Sequence, residues 1–293
     1  MAQRSAKKTA LKPVQITAVQ APLPSVFVLT KRSLRLLRNS WLTFTGIGVV
    51  YALTGLLFGG LAVGGFDVVS IRDQLGGKLV GGFGAYAALL SSGGGVSQVS
   101  EAYSLILFVI ASLAIIWALR HAHEGKKIRI RDAYYKGMYP LVPFMLIMLV
   151  ALLTLIPMLI GSALYQYVLT NGIAEKIIEI ILWGLVAAAL LVASLYLIVV
   201  PILALYVVAL PSMTPVLALR SASRLVLGRR WAMVRKMLFL PVVILVIVGI
   251  IMLPFILFVP ALAQWALAIL TVFAITLTHG YLYELYRSSM DEL

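Results

Sequence analysis

Three histidines and ten carboxylates, with no cysteine, are this chain's main candidates for metal ligation and for proton transfer near neutral pH, and they are nowhere grouped as catalysis would require. The nearest approach to a ligand set is His121-Ala122-His123-Glu124. Zinc sites take about three or four protein donors, and imidazoles at i and i+2 do not share a helix face. A solvated helix end describes these residues better than a metal site. His279 stands beside Thr276 and Thr278 near the end of the last apolar run. Ion-coupled pumps keep ionisable groups at mid-membrane, although each costs about 2.5–3.5 kcal/mol there. No Asp, Glu, Lys or Arg lies between Ala102 and Leu119, Leu141 and Tyr165, Ile180 and Leu219, or Met237 and Thr278. His279 is therefore expected to make a polar contact rather than relay protons. No nucleophile is paired with a base. The sequence predicts a chain that is not an enzyme and carries neither metal nor cofactor.

The elements that would have to position any such group are apolar rods. The 293 residues are 62% hydrophobic and 12% charged, with a mean hydropathy of +1.05. Soluble domains carry about 25% charged residues. Six long apolar runs stand out, at residues 41–64, 102–119, 141–165, 177–209, 237–259 and 262–283. At about 1.5 Å per residue each can cross a hydrocarbon core of roughly 30 Å. The expected fold class is all-α: a polytopic membrane protein, a six-transmembrane-helix bundle occupying residues 25–285. Residues 1–24 form a basic, proline-bearing arm, expected to be flexible, and residues 286–293 a short tail.

Basic residues alternate from one connection to the next. Of 24 Lys and Arg, 21 fall before the first run, in the second and fourth connections and in the tail, leaving 3 for the other side. The positive-inside bias orients membrane helices in this way, so both termini are expected to be cytoplasmic, in a plasma or inner membrane. The sequence pI near 10.1 is explained by this topogenic charge, and no nucleic-acid-binding motif accompanies it. Trp41, Trp117, Tyr139, Tyr206, Trp231 and Tyr281 near one set of run ends, and Tyr103, Tyr165, Tyr167, Trp183 and Trp265 near the other, give two interfacial belts.

A basic segment precedes each hairpin of runs. In residues 27–41, Lys31, Arg32, Arg35 and Arg38 share one arc at 100° per residue, and Phe27, Leu29, Leu34, Leu36, Leu37 and Trp41 the other. That pattern describes a cytoplasmic interfacial amphipathic helix. The second segment, Lys126 to Gly137, is shorter; the third, Leu219 to Lys236, carries Arg220, Arg224, Arg229 and Arg230 but separates its faces poorly. Asn39, Gly137 and Gly228 near the segment ends are candidate left-handed caps. Together these features form a weak threefold repeat of basic helix plus hairpin. Inside the runs, Pro143, Pro157, Pro201, Pro241 and Pro254 are expected to make static kinks repaired by neighbouring groups. Gly55, Gly59, Gly60 and Gly64 give the first run a small-residue face for helix packing, within the bundle or between protomers. The glycine-rich stretch 65–101 is compatible with a re-entrant loop, an ordered cap or a flexible interfacial loop.

Lys31-Arg32-Ser33-Leu34-Arg35-Leu36-Leu37-Arg38-Asn39-Ser40-Trp41, Arg131-Asp132-Ala133-Tyr134 and the stretch from Ala218 to Trp231 together resemble the six-span membrane domain attached to some bacterial glycerophosphodiester phosphodiesterases, and its stand-alone relatives. The resemblance covers most of residues 25–285. In that family the chemistry belongs to a separate barrel, and such barrels take about 250 residues. With no His-Arg-Gly catalytic motif in this sequence, the resemblance implies the membrane module alone.

Two functions compete. The first is a non-enzymatic membrane-organising or accessory subunit whose partners are anionic inner-leaflet lipids, and other membrane proteins or itself; its headgroup contacts would be Lys31, Arg32, Arg35, Arg38, Arg220, Arg224, Arg229 and Arg230. The alternative is a transporter or channel for a small neutral or amphipathic solute, lined by Thr154, Ser194 and Tyr196 at the proline kinks. The charge alternation itself is testable. An epitope tag inserted in the 166–176 connection should be reachable only from outside an intact cell, and labelling only after permeabilisation would reverse the topology.

Overall fold

The computed structural model describes residues 24–58, 98–126, 128–210 and 213–290. Every regular element among them is an α-helix. In chain order these are α1 (Val26–Asn39), α2 (Trp41–Phe58), α3 (Gln98–His123), α4 (Ile130–Gly137), α5 (Leu141–Thr154), α6 (Ile156–Thr170), α7 (Ile177–Val208), α8 (Pro215–Val226), α9 (Arg230–Phe258) and α10 (Pro260–Met290). Five stretches are long and apolar enough to cross a membrane: Ala102–His123, Leu141–Thr170, Ile177–Val208, Arg230–Phe258 and Trp265–Met290. A sixth rod, α2, is apolar as far as it is described. The arm before residue 24, Gly59, Gly60, Gly64 and most of the glycine-rich stretch lie outside the described residues.

The helices form three units of one short basic helix, one rising rod and one returning rod: α1–α2–α3, α4–α5/α6–α7 and α8–α9–α10. Each short helix packs on the returning rod of the preceding unit, α4 on α3 and α8 on α7; the pattern closes on itself because α1 packs on α10. Rising rods follow the same rule, with α2 against α10, α5 against α3 and α9 against α7. Fully buried small residues mark equivalent positions. Ser33, Ala133 and Ala222 stand at the same spacing ahead of Trp41, Leu141 and Arg230, the first residues of α2, α5 and α9. The repeat seen weakly in sequence is therefore present in the packing.

Apolar burial concentrates at the end carrying the short helices, called here the basic end. Leu113, Leu119, Leu203, Val207, Met233, Leu240, Tyr281 and Leu285 belong to one core there. Toward the opposite end the rods touch mainly their hairpin partners, and Ile178, Leu182, Leu185, Val246, Ile250, Ile269 and Phe273 are exposed. Water would penalise such a surface at about 25 cal/mol per Å²; lipid tails do not.

Several boundaries differ from the hydropathy runs. The third run is broken: α5 ends at Thr154 and α6 begins at Ile156, because Pro157 lacks an N–H and its ring crowds the carbonyl four residues back. The Met158 N–H freed at the break donates to Ser194 Oγ of α7 at 2.9 Å. Pro201, Pro241 and Pro254 sit inside continuous helices. α9 starts seven residues before the fifth run and α10 continues to Met290, so most of the expected tail is helix. α8 begins at Pro215 with Thr214 accepting from Leu217 N–H, and ends before Gly228 at φ +79°. The window 219–236 straddled that turn, which is why its faces would not separate. Gly228 is the left-handed position expected; Asn39 and Gly137 are helical instead.

The packing glycines are also different ones. A Cβ on Gly55 would meet open space, so no described neighbour uses it. Gly46 receives Ile130 of α4 and Gly48 receives Val272 of α10. Gly137 lies with its Cβ position 3.2 Å from the Ala114 backbone, and Gly280 with its own 2.6 Å from Ser33 Oγ. Ser33 Oγ is buried without a hydrogen-bond partner among the described residues, so its hydroxyl contributes volume rather than bonding. Gly280→Ala should force α1 off α10 and lower stability by about 1–3 kcal/mol. Ser33→Ala alone should be neutral or slightly stabilising. In the double variant the collision is gone and most of the loss should return; a detergent melt series in which the two changes simply add would refute this contact.

Candidate functional site

Among the described residues, the exposed cations of the short helices and a buried polar cluster gather at the basic end, in two layers. The outer layer is the three short helices. On α1, Leu29 and Ser33 are buried against the bundle while Lys31, Arg32, Arg35 and Arg38 are exposed. Phe27 and Leu34 are exposed too, on the edge between the buried face and the cations. The apolar arc read from sequence is thus divided, part to the protein and part outward. On α8, Ala218, Ala222, Leu225 and Val226 face the bundle and Arg220 and Arg224 face out. On α4, Ala133 and Gly137 are buried, Arg131 and Lys136 exposed.

Two of the eight expected headgroup contacts have protein partners. Arg229 donates from Nε to the Leu225 carbonyl and from Nη2 to the Ser289 carbonyl, both at 3.3 Å, stapling the end of α8 to the end of α10. Arg230 places its guanidinium 5.2 Å from the ring centre of Tyr196. The groups proposed to line a solute path are likewise engaged. Thr154 bonds the Ala151 carbonyl of its own helix, Ser194 repairs the proline break, and Tyr196 lies beneath Arg230.

The inner layer is where the three returning rods meet. Ser112 of α3, His279 of α10 and Tyr206 of α7 form a chain, Ser112 Oγ to His279 Nε2 at 3.1 Å and His279 Nδ1 to the Tyr206 hydroxyl at 3.0 Å. One residue from each unit contributes. His279 makes a polar contact, as its surroundings in sequence implied. Tyr206, Tyr283 and Tyr286 pack around one another with ring centres 6.2–6.5 Å apart. Tyr281 donates to the Lys236 carbonyl at 2.9 Å. Tyr206 and Tyr281, assigned from sequence to the interfacial belt, are in fact buried, because helix packing continues past the level where the hydropathy runs end.

Above Tyr206 opens a cavity of about 240 Å³, lined by Arg120 and Ile116 of α3, Ala209 and Leu210 following α7, and Tyr283, Tyr286, Arg287 and Met290 of α10. Sequence reasoning missed this site. A usable signal was the stripe His279, Tyr283, Tyr286, Arg287, which repeats at helical spacing along α10. The His121–Glu124 stretch borders the site without forming a ligand set: His121 turns back to the Trp117 carbonyl at 3.0 Å, and His123 faces Glu284 at 3.9 Å.

Fold and site together define a class, a helical multi-pass integral membrane protein. No family model, curated protein or solved structure matches the chain.

α4 is tied to the bundle by the Tyr134 hydroxyl, which donates to the Ile47 carbonyl of α2 at 2.8 Å. Burial, and secondarily the neighbouring Tyr51, pushes the Tyr134 phenol up to about 12. The neutral phenol is the form the fold favours. Its contribution is fully present below the unfolded value of 10.0 and lost as pH climbs through about 12. Tyr134→Phe should cost about 1 kcal/mol at neutral pH. It should also flatten the alkaline loss of stability seen in detergent melts across that window; an unchanged alkaline profile would show that another group governs it.

Proposed function

We propose that this chain is a non-enzymatic membrane-organising or accessory protein of the plasma or inner membrane. Its basic end and both termini face the cytoplasm, and α1, α4 and α8 hold anionic inner-leaflet headgroups. The observation that carries this is the geometry of α1. One face is pinned to α10 through Leu29 and Ser33, so the remaining surface has a fixed orientation. That surface pairs four exposed cations with exposed Phe27 and Leu34. A helix with an apolar edge for the acyl boundary and a cationic edge for the headgroups suits a bilayer surface. Arg220 and Arg224 repeat the arrangement on α8 beside exposed Val216 and Leu217. The alternation of charge along the sequence supports the same orientation.

Kinship with the membrane domain of glycerophosphodiester phosphodiesterase-type proteins fits this proposal, with the chain acting as a membrane module for other membrane proteins or for itself. Solute transport has less support, since Thr154, Ser194 and Tyr196 are committed to internal contacts.

The test is lipid enrichment around the protein in vesicles of mixed phosphatidylglycerol and phosphatidylcholine, read by energy transfer to labelled lipid. Each surface cation contributes roughly 1 kcal/mol of attraction. Changing Lys31, Arg32, Arg35 and Arg38 together to Gln should reduce phosphatidylglycerol enrichment several-fold and leave phosphatidylcholine unaffected. Equal enrichment in both proteins would remove the headgroup role from α1.

A further inference from the structure

Where α7 and α9 pack together, Arg230 of α9 lies over the ring of Tyr196 of α7, its guanidinium carbon 5.2 Å from the ring centre. A contact of this kind uses the flat face of the guanidinium and leaves its N–H groups directed in the plane of the fork. Among the described residues, none accepts a hydrogen bond from Arg230 or pairs with its charge. Arg230 is half-buried and Tyr196 is 41% exposed, so the pair lies open at the surface of the bundle. The protein fixes the position of this cation and leaves its donors to whatever surrounds the rods.

The rods set the depth at which this happens. Trp41, Leu141 and Arg230 are the first residues of the three rising rods. Trp41, Tyr139 and Trp231 at those starts are exposed, as aromatic residues at a membrane interface are. Arg230 therefore stands at headgroup level. Leading away from that level, α7 carries Tyr196, Val192 and Leu185 on one exposed face, while Leu190 and Ser194 on the opposite face meet α6. From Tyr196 to Leu185 the helix rises about 16 Å, half of a hydrocarbon core of roughly 30 Å. Over the same depth α9 is apolar and exposed at Leu238 and Val242.

One kind of molecule matches both halves of this surface. A phosphodiester supplies the acceptor oxygens that arginine's planar fork fits, and an acyl chain on the same molecule covers one leaflet of apolar face. Soluble phosphate would leave the face bare, and an apolar protein partner would leave the guanidinium without an anion. We propose that Arg230 on Tyr196 is a docking site for a single phospholipid, its phosphate on the guanidinium edge and one acyl chain along Val192 and Leu185. The inference rests on the headgroup reading above only for placing the basic end at a bilayer surface. The cations of α1, α4 and α8 attract anionic lipid collectively, whereas this site holds one molecule.

The experiment titrates the full chain in an uncharged detergent with dioleoyl phosphatidylglycerol or with diolein, which has the same chains and no phosphate. Bound lipid is counted by native mass spectrometry. One phosphatidylglycerol per chain should bind saturably, and diolein should not; this comparison needs no variant to fold. Arg230→Gln should weaken the binding about tenfold or more. Arg230→Lys, which keeps the charge and loses the flat fork, should recover only part of it. Tyr196→Phe keeps the ring and should bind as the native chain does. The combined Gln variant of Lys31, Arg32, Arg35 and Arg38 should retain the single lipid. If that variant also keeps its phosphatidylglycerol enrichment in vesicles, the surface role falls and this site stands. Equal binding of diolein, unchanged binding in Arg230→Gln, or a lipid-free dimer whose second copy covers the face would each overturn the proposal.

Discussion

Close approach of helix backbones at one end of the bundle is the constraint from which the rest of the structure follows. Between helices in hydrocarbon there is no water to expel, so association depends on van der Waals fit and polar contacts. Small residues supply the fit: Gly280 against Ser33, Gly137 against Ala114, and Ala218 and Ala222 on the face of α8. Where such contacts repeat, the rods converge and bury a continuous core; where they are absent, the rods present Leu, Ile and Val outward. Convergence brings α3, α7 and α10 together, and their meeting creates both the Ser112–His279–Tyr206 chain and the cavity above it.

Several polar atoms inside this bundle are matched from one helix to another. The imidazole of His279 takes one partner from each of two other rods, so none of the three side chains is left unpaired away from water. Ser194 does the same for the backbone at Pro157, where a donor loses its own helix's carbonyl. Arg229 does it for two helix ends at once. These cross-links specify which rods are neighbours, a choice that greasy surfaces alone leave open.

Much of the fold was legible because the bilayer imposes simple rules on sequence. Rod length and the amphipathic arc of α1 are each statements about one segment and its solvent. The candidate site was not legible for the opposite reason. Arg120 and Arg287 are far apart in sequence, and each looks like an ordinary basic residue flanking an apolar run. Tyr206 and Tyr281 match the composition of an interfacial belt, and only the packing of a second helix over them makes them interior. Gly55 matched a packing motif by spacing, whereas Gly280, an isolated glycine, makes the contact. Periodicity identifies a face; it does not identify what covers that face.

Docking of α1 on α10 joins the first described helix to the last. A chain threaded into the bilayer from its amino end presents α1 long before α10 exists, so this contact forms only after the other described helices have been made. The other two short helices meet their partners at once, because each follows its partner directly along the chain. Closure of the described ring therefore follows insertion of the α9–α10 hairpin, and the approach of Ser33 to Gly280 is one of the contacts it makes.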